Sequence, residues 1–447
     1  MFKKVLPIGL TLFALFFGAG NLIFPIKLGW DSGNLFPQAI LGFLVTGVGF
    51  PLLGIIANST CPEGILGILR EKVGRVFSLT LLTSIYLTIG PLFAIPRTAT
   101  TSYTIGVVPN LGQDSPVYLL VFSALYLLLV LALSLKPNRI VDMVGKILTP
   151  TLLLVIALLA LLAFLHLNQP VLEVKGPYLK NSAFAEGFSA GYLTMDAIGS
   201  ITFSMISLTA INAIGIQEKG AILKASTFAA LVAGISLTLV YLSLGWIGNH
   251  YQLSSHQLQW LQQNQVHEGA YILTASANSL LSSWGPVAVS VIVGLACLTT
   301  AVGLTVAISD FFFQLLRPYV PKLKYSFCVG FISLISFILA NQGLNQVIKA
   351  SIPILNILYP VTILIIFLVL LDQGLFDVPR LAFRLAIGVT ALISVACTLF
   401  PNHMQLYFSR IYQLLGLPIQ SIIFVWIPPA IVAFSVSYLL HFFLKQR

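Results

Sequence analysis

Long apolar runs separated by short polar segments extend along the whole chain. A run of about 20 apolar residues is typical of a helix that crosses a bilayer. Twelve such runs occur, and the predicted spans are 5–28, 36–58, 76–106, 117–135, 140–166, 185–209, 225–248, 284–309, 325–341, 344–371, 381–400 and 417–444. The pattern therefore predicts an all-α polytopic membrane protein with twelve transmembrane helices in one domain.

Composition agrees with this class and disfavours others. Hydrophobic residues make up 58% of the 447 residues and charged residues only 8%, a balance foreign to soluble globular domains. The four cysteines lie far apart, so neither a disulfide framework nor a metal site is indicated. A G-x-S-x-G match at 187–191 falls in a predicted membrane helix rather than the strand-to-helix turn of a hydrolase, and the chain contains no G-x-x-x-x-G-K-[ST]. We therefore expect no enzyme.

The basic residues indicate the orientation. With the N-terminus placed in the cytoplasm, 17 of the 23 Lys and Arg residues fall in inner segments, 5 fall in outer segments, and Arg97 lies within a span. Cytoplasmic loops are rich in Lys and Arg, so we expect a multi-pass protein of the cell membrane (inner or plasma membrane) with both termini cytoplasmic. The net charge of +10 is then a topology signal and does not indicate nucleic acid. The first run is interpreted as an uncleaved helix rather than a signal peptide.

Glycines interrupt the first span near its middle. Gly18, Ala19, Gly20 and Asn21 follow two phenylalanines. A membrane helix that unwinds exposes backbone groups that lipid cannot satisfy. Such breaks occur where they line a cavity, and transporters use them to hold ions and substrates. A small-residue face for helix packing is the alternative.

The sixth span has a second cluster of glycine and hydroxyl residues and contains Asp196. A carboxylate at mid-membrane costs about 2.5–3.5 kcal/mol on insertion scales and so indicates function; a structural ion pair is the alternative. Spans 1 and 6 would enter the membrane from opposite sides, so matching breaks predict a five-plus-five inverted repeat. The first repeat would be 1–167 and the second 168–372, with two additional helices in 373–447.

Arg97, in the third span, lies at nearly the same depth as Asp196. The two residues are nine and eleven positions from the outer ends of their spans, or about 14 and 16 Å at a rise of 1.5 Å per residue. We therefore expect an ion pair with a structural or gating role, and direct contact of Arg97 with substrate is the alternative. The longest loop, 249–283, is either a lid or a plain surface loop, with a short helix at 273–281.

Two adjacent threonines in the eighth span suggest a cation site. Thr299 lies about 15 Å deep from the inner end of its span and Phe17 about 18 Å. Hydroxyl oxygens and freed carbonyl oxygens are suitable ligands for a small hard cation. Hydrogen bonds from each threonine to its own helix are the alternative.

Three segments together resemble a known family. Residues 13–25, 90–103 and 191–197 are similar to those of the bacterial branched-chain amino acid:cation symporters, the BrnQ-type carriers, and the resemblance covers essentially the whole chain. It implies import of leucine, isoleucine and valine, and a LeuT-like fold shared with the amino acid–polyamine–cation carriers. The implied coupling ion is sodium, with protons as the alternative, and no further cofactor. The implied partners are the substrate and membrane lipid, without nucleic acid or an obligate protein partner.

The resemblance also implies site residues. Those assigned to substrate contact lie in spans 1, 3 and 6 and are Gly18, Ala19, Gly20, Asn21, Tyr103, Thr194, Asp196 and Ser200. Those assigned to sodium lie in spans 1 and 8 and are Ala14, Phe17, Ala296, Thr299 and Thr300. A proton-coupled carrier of another neutral amino acid is the alternative function. A channel is disfavoured because it would need a continuous polar lining.

Overall fold

A computed structural model describes residues 2–61, 64–111, 114–135, 149–167, 170–171, 173–264, 266–282, 284–414 and 421–445. These residues form helices joined by loops, and no strand occurs among them. In chain order the helices are α1 (Phe2–Phe16), α2 (Ala19–Ser32), α3 (Phe36–Leu44), α4 (Phe50–Ser59), α5 (Gly64–Lys72), α6 (Arg75–Leu87), α7 (Ala94–Gly106), α8 (Val108–Leu111), α9 (Pro116–Ser134), α10 (Thr149–His166), α11 (Ala183–Tyr192), α12 (Asp196–Ala213), α13 (Lys219–His250), α14 (Ser255–Asn264), α15 (Glu268–Leu281), α16 (Trp284–Leu316), α17 (Tyr325–Ala340), α18 (Leu344–Gly374), α19 (Arg380–Leu399), α20 (Pro401–Leu414) and α21 (Ile427–Lys445).

The apolar runs of the sequence correspond to these helices. Among the described residues, eight helices are long and apolar enough to cross a membrane, and nine if the bent pair α11 and α12 counts as one span. Each predicted span overlaps one or two helices, although 140–148 and 417–420 lie outside the described residues. The all-helical, multi-pass membrane class is confirmed, whereas the count of twelve, the inverted repeat and the division into halves stay predictions.

The outward faces of the helices are apolar. Large side chains such as Leu125, Phe164 and Phe443 are 64%, 63% and 63% exposed. A patch of this kind on a soluble protein would promote association. Around a membrane protein it is the surface that meets lipid, while the buried polar groups lie between the helices.

Both predicted breaks are present, and the third span has one as well. Phe17 and Gly18 separate α1 from α2, and residues 193–195 separate α11 from α12 with a bend of 43°. Between α6 and α7, the π-helical turn Thr88–Leu92 contains Gly90 with non-helical torsions (φ −101°, ψ −121°). This third irregularity was not predicted from the sequence, although Gly90 and Pro91 are its local cause.

Two pairs of helices touch backbone to backbone along glycine seams. In the first seam, α2 packs on α13, and a Cβ at Gly29 or Gly248 would overlap a carbonyl oxygen of the other helix. In the second, α3 packs on α11, with Gly42 and Gly187 in the same role. Small residues at membrane helix interfaces permit this close approach.

An ion pair joins parts of the chain that are distant in sequence. The Lys72 ammonium at the end of α5 lies 2.8 Å from Asp372 and 2.6 Å from Asp377. Burial alone would lower the pKa of Lys72, but the hydrogen bonds and charges of the two carboxylates raise it. Lys72 therefore carries its charge at neutral pH and links α5 to the end of α18.

Candidate substrate and cation site between the two breaks

The break in the first span, between α1 and α2 and called the helix 1 break below, leaves the start of α2 without a side-chain cap. The Phe17 amide donates to the Phe13 carbonyl at 2.7 Å, and the Gly18 amide donates to the Phe16 carbonyl at 2.7 Å. Gly18 is extended (φ −109°, ψ −162°) and supplies no side-chain cap to α2. The first-turn amides of α2, which have no intrahelical acceptors, thus lie beside the last carbonyls of α1. The amide end attracts negative charge and the carbonyl end attracts positive charge.

The break in the sixth span, between α11 and α12 and called the helix 6 break below, contains a residue with left-handed backbone torsions. Met195 has φ 65° and ψ 11°, a conformation that costs a non-glycine residue roughly 1–2 kcal/mol. The Thr194 hydroxyl donates to the Gly191 carbonyl at 2.9 Å and accepts from the Asp196 amide at 3.3 Å. Backbone strain of this kind persists where the surroundings impose it, as at ligand sites.

Asp196 is hydrogen-bonded to groups from two other helices. Its Oδ2 accepts from the Asn21 side-chain amide at 2.5 Å and from the Tyr241 hydroxyl at 3.0 Å. The Asn21 amide also donates to the Tyr241 hydroxyl. All three residues are buried. This network ties α2, α12 and α13 together at the level of both breaks.

Arg97 is bound to the helix 6 break and not to Asp196. Its Nη1 donates to the Leu193 carbonyl at 2.5 Å, and its Nη2 donates to the Thr194 carbonyl at 3.4 Å. The guanidinium carbon lies 5.4 Å from the centre of the Phe24 ring. The expected direct ion pair between Arg97 and Asp196 is not among the ion pairs of the described residues. The reason is that each charge has nearer hydrogen-bond partners of its own.

The residues assigned to sodium are brought together in part. The Thr300 hydroxyl lies 3.4 Å from the Ala14 carbonyl oxygen and 3.3 Å from the Leu15 carbonyl oxygen. Thr299 bonds within its own helix to the Ala296 carbonyl at 2.9 Å. A Cβ at Gly18 would lie 3.2 Å from the Thr300 hydroxyl oxygen. Thr300 therefore faces the end of α1. Thr299 instead makes a hydrogen bond within its own helix, which was the alternative to a cation site.

Phe17 is the last of the residues assigned to sodium. Its ring is buried and stacks on the ring of Phe13, with 5.2 Å between the ring centres. The oxygen atoms that meet between α1 and α16 are neutral carbonyl and hydroxyl groups. Such hard oxygen ligands fit a small cation. No group of three or more His, Cys, Asp or Glu side chains suited to a metal ion occurs in the part of the chain that the structure describes.

A small cavity of about 30 Å³ lies between the two breaks. Its polar lining residues are Asn21, Arg97, Thr98, Thr194, Asp196 and Thr300. Its larger apolar lining residues are Leu15, Phe16, Ile89, Met195, Phe203 and Leu304. One water molecule takes about 30 Å³ of liquid volume and needs roughly 10–15 Å³ of this kind of cavity space. A branched amino acid therefore fits only after the helices around the cavity move apart.

Five of the eight residues assigned to substrate line this cavity, namely Gly18, Ala19, Asn21, Thr194 and Asp196. Gly20 lies beside it, because a Cβ at this position would be 2.8 Å from Nη2 of Arg97. The structure therefore places most of the assigned residues around one space, while their contact with substrate stays a prediction.

Tyr103 and Ser200 do not line this cavity, and their contact with substrate stays a prediction. The Tyr103 hydroxyl donates to Asp114 at 2.9 Å, and Tyr103 packs with Val108 and Leu119 in a separate cluster. The Ser200 hydroxyl donates to the Ala197 carbonyl at 2.7 Å and faces Gly54 of α4. Neither residue lines the cavity. The sequence motifs that contain Tyr103 and Ser200 place each residue on a helix, but they do not show which face of the helix the residue occupies.

Tyr241 and the apolar wall of the cavity were not predicted from the sequence. Tyr241 is fully buried in the second half of α13, and a buried tyrosine normally finds a hydrogen-bond partner for its hydroxyl. That rule could have marked it as a candidate. Phe16, Phe203 and Leu304 had no such signal, because apolar residues are common at every position of a membrane helix.

The loop 249–283 lies against the site. Its second helix, α15, contains the helix predicted at 273–281 and packs on α2, where Gly269 meets the Ile23 carbonyl. The His267 ring lies 5.9 Å from the Phe24 ring. Burial lowers the pKa of His267 to about 4, although the negative charge of Glu268 acts to raise it. The ring is therefore uncharged at neutral pH. The loop thus covers α2, and its action as a lid stays a prediction.

Comparison with known sequences gives one consistent result. A family profile described as "Branched-chain amino acid transport protein" matches residues 1–444. A Staphylococcus epidermidis protein named "Putative branched-chain amino acid carrier protein" is 42% identical over 449 residues, which cover 100% of this chain and 98% of the relative. A Staphylococcus aureus protein of the same description has the same identity and coverage.

Solved structures share the fold. A mutant manganese transporter from Eremococcus coleocola aligns with a TM-score of 0.60 at 13% identity, covering 98% of this chain and 95% of that one. Mhp1, a nucleobase-cation-symport-1 family transporter in a closed conformation with bromovinylhydantoin bound, aligns with a TM-score of 0.59 at 14% identity, covering 99% and 92%. At these identities the likeness establishes the transporter fold alone.

Proposed function

The chain belongs to the branched-chain amino acid transport protein family, and from this premise we propose that it is a secondary symporter that imports leucine, isoleucine and valine together with sodium by alternating access. The family consists of transporters, not enzymes. We also propose twelve spans in a five-plus-five inverted repeat, with both termini in the cytoplasm. The distribution of Lys and Arg and the LeuT-like fold neighbours support this arrangement.

The observation that supports sodium coupling is the contact between Thr300 and the end of α1. The hydroxyl lies within 3.4 Å of two consecutive carbonyl oxygens, those of Ala14 and Leu15. A sodium ion bound there would use these oxygens in place of the present hydrogen bonds. The ion would sit at the negative end of the α1 dipole, which favours a cation. Because it would touch both α1 and α16, its binding would favour one arrangement of these two helices over another.

The cavity chemistry supports a small zwitterion with an aliphatic side chain. Arg97 and Asp196 supply opposite charges, and Phe16, Phe203 and Leu304 supply an apolar wall. One methylene group in such a pocket changes binding by only about 1–3 kcal/mol. We therefore expect leucine, isoleucine and valine to share the site.

Proton coupling is the second candidate, and Asp196 is the observation that favours it. A buried carboxylate bonded to Asn21 and Tyr241 could bind and release a proton as the helices move. Intramembrane carboxylates commonly serve proton relays. The same residue would then carry both substrate contact and coupling.

Uptake in proteoliposomes separates these functions. Purified protein is reconstituted, and labelled leucine accumulation is measured with an inward sodium gradient, with an inward proton gradient, and with neither. The proposal expects accumulation above equilibrium only with sodium. Accumulation with protons alone would favour the second candidate, and leucine uptake that never exceeds equilibrium under either gradient would contradict coupled transport.

Competition tests the substrate class in the same vesicles. Excess unlabelled isoleucine and valine should suppress leucine uptake, whereas lysine and glutamate should not. Vesicles without protein provide the background. Competition by lysine or glutamate but not by valine would contradict the assignment to branched-chain amino acids.

A further inference from the structure

The guanidinium of Arg97 has hydrogen-bond donors left over. A guanidinium carries five N–H donors in a fixed planar fork. Nη1 and Nη2 each use one donor for the carbonyls of Leu193 and Thr194. Nε has no partner, although Arg97 is only 3% exposed and lines the cavity. A buried unpaired donor costs free energy, so its presence in a cavity points to a ligand that accepts hydrogen bonds.

A second group of free donors lies at the same place. Nη2 would be 2.8 Å from a Cβ added to Gly20, which puts the guanidinium against the first turn of α2. That helix has 14 residues and begins without a side-chain cap. Unpaired amides and the positive dipole end of a helix attract anions. The guanidinium and the helix start therefore converge on one anion-binding position.

The opposite charge faces the same cavity without a direct ion pair to the arginine. Asp196 lines the cavity, and its Oδ2 is held by Asn21 and Tyr241. The hydrogen bonds of Arg97 to the helix 6 break hold it away from this carboxylate. The cavity thus has a guanidinium group and a separate carboxyl group that a zwitterionic ligand can bridge.

We propose that Arg97 binds the α-carboxylate of the transported amino acid through its free Nε edge, with the first-turn amides of α2 as further donors, while Asp196 receives the α-ammonium group. The inference rests on the proposed function and names how that site selects a zwitterion. Arginine suits this task because its planar fork matches the two oxygens of a carboxylate. The Nη contacts to helix 6 and the Nε contact to the ligand use different donors, so both can exist at once.

The test compares leucine with leucinamide, in which a neutral amide replaces the carboxylate. Binding of each to purified full-length protein is measured by isothermal titration at pH 6.5, where both α-amino groups are protonated. Removing one partner of a buried charge pair weakens binding on the order of 30-fold or more. Arg97→Gln should therefore weaken the binding of leucine by on the order of 30-fold and the binding of leucinamide by less than about 3-fold. The preference of the protein for leucine over leucinamide would then be lost.

Gly20→Ala is the second variant and does not remove the arginine. Its Cβ would push Nη2 aside, so the preference for leucine should fall in the same direction. Phe203→Ala is the matched control, because it removes part of the apolar wall of the cavity and should weaken the binding of both ligands equally. Leucinamide binding in each variant verifies that the site is folded.

The outcomes separate the inference from the function it rests on. Equal weakening of leucine and leucinamide in Arg97→Gln, or an unchanged preference in Gly20→Ala, would mean that Arg97 only holds the helix 6 break, and the inference would fail while the transporter assignment stands. A wild-type protein that binds neither leucine, isoleucine nor valine would overturn the proposed function and the inference together.

Discussion

The two helix breaks differ in what satisfies their backbone groups. In the helix 6 break, the carbonyls of Leu193 and Thr194 accept hydrogen bonds from a side chain of the protein, Arg97. In the helix 1 break, the first-turn amides of α2 have no side-chain cap, and the last carbonyls of α1 face the hydroxyl of Thr300. The helix 6 break is therefore stabilised by the charged side chain of Arg97, whereas the helix 1 break keeps its polar groups beside the cavity. This difference predicts that helix 1 substitutions affect ligands most and helix 6 substitutions affect stability most.

The largest effect is expected at Gly20. Gly20→Leu would place a bulky side chain against Arg97 and Phe24, where even a Cβ would lie within 2.9 Å of existing atoms. Leucine binding and uptake should fall more than about 100-fold, while the amount of protein in the membrane stays unchanged. Gly330→Leu is the matched control, because no atom lies within 4 Å of its added Cβ. Normal leucine binding in Gly20→Leu would mean that this segment only packs helices.

The next effect concerns the stability of the helix 6 break. Arg97→Ala removes the donors to two buried carbonyls, and an unsatisfied buried group costs about 1–3 kcal/mol. The ligand-free protein should therefore unfold at a lower temperature. The exposed Arg317→Ala is a suitable control. An unchanged unfolding temperature in Arg97→Ala would show that the helix 6 break does not depend on this side chain, and the contrast between the breaks would disappear.

A smaller effect is expected at the cation site. Thr300→Ala removes the hydroxyl near Ala14 and Leu15, whereas Thr299→Ala removes one that bonds its own helix. One ligand oxygen is worth about 1 kcal/mol, so the sodium concentration for half-maximal uptake should rise roughly fivefold in Thr300→Ala. It should rise less in Thr299→Ala, and not at all in the control Thr305→Ala, whose hydroxyl bonds Ala301 in the same helix. No change in either site variant would place the ion elsewhere or favour protons.

The smallest effect is expected at Tyr103. Its hydroxyl binds Asp114 and Ser115 away from the cavity. Tyr103→Phe should therefore leave the affinity for leucine unchanged and cost at most about 1 kcal/mol of stability. A clear loss of leucine affinity would place Tyr103 in the substrate site.

The sequence predicted the helices and both breaks because these depend on local properties. Apolar run length and glycine clusters are visible in one segment at a time, as at Gly18. The partners of Arg97 depend on which helix face meets which neighbour, and depth along a span does not contain that information. Their similar depth predicted that Arg97 pairs with Asp196. The faces of the helices on which the two residues lie instead give each residue different hydrogen-bond partners. For the same reason the sequence could not show that Tyr103 and Ser200 lie outside the lining of the cavity.

The glycine seams have a mechanical consequence. Two backbones in direct contact have no side chains between them whose rotamers could absorb a displacement, and close-packed interiors transmit strain. The seam of α2 on α13 and the seam of α3 on α11 should therefore act as stiff joints, so that each pair moves as one piece. Compliance is then concentrated where the helices are interrupted, and the breaks next to Asp196 and Thr300 are positions at which such stiff pairs would rotate.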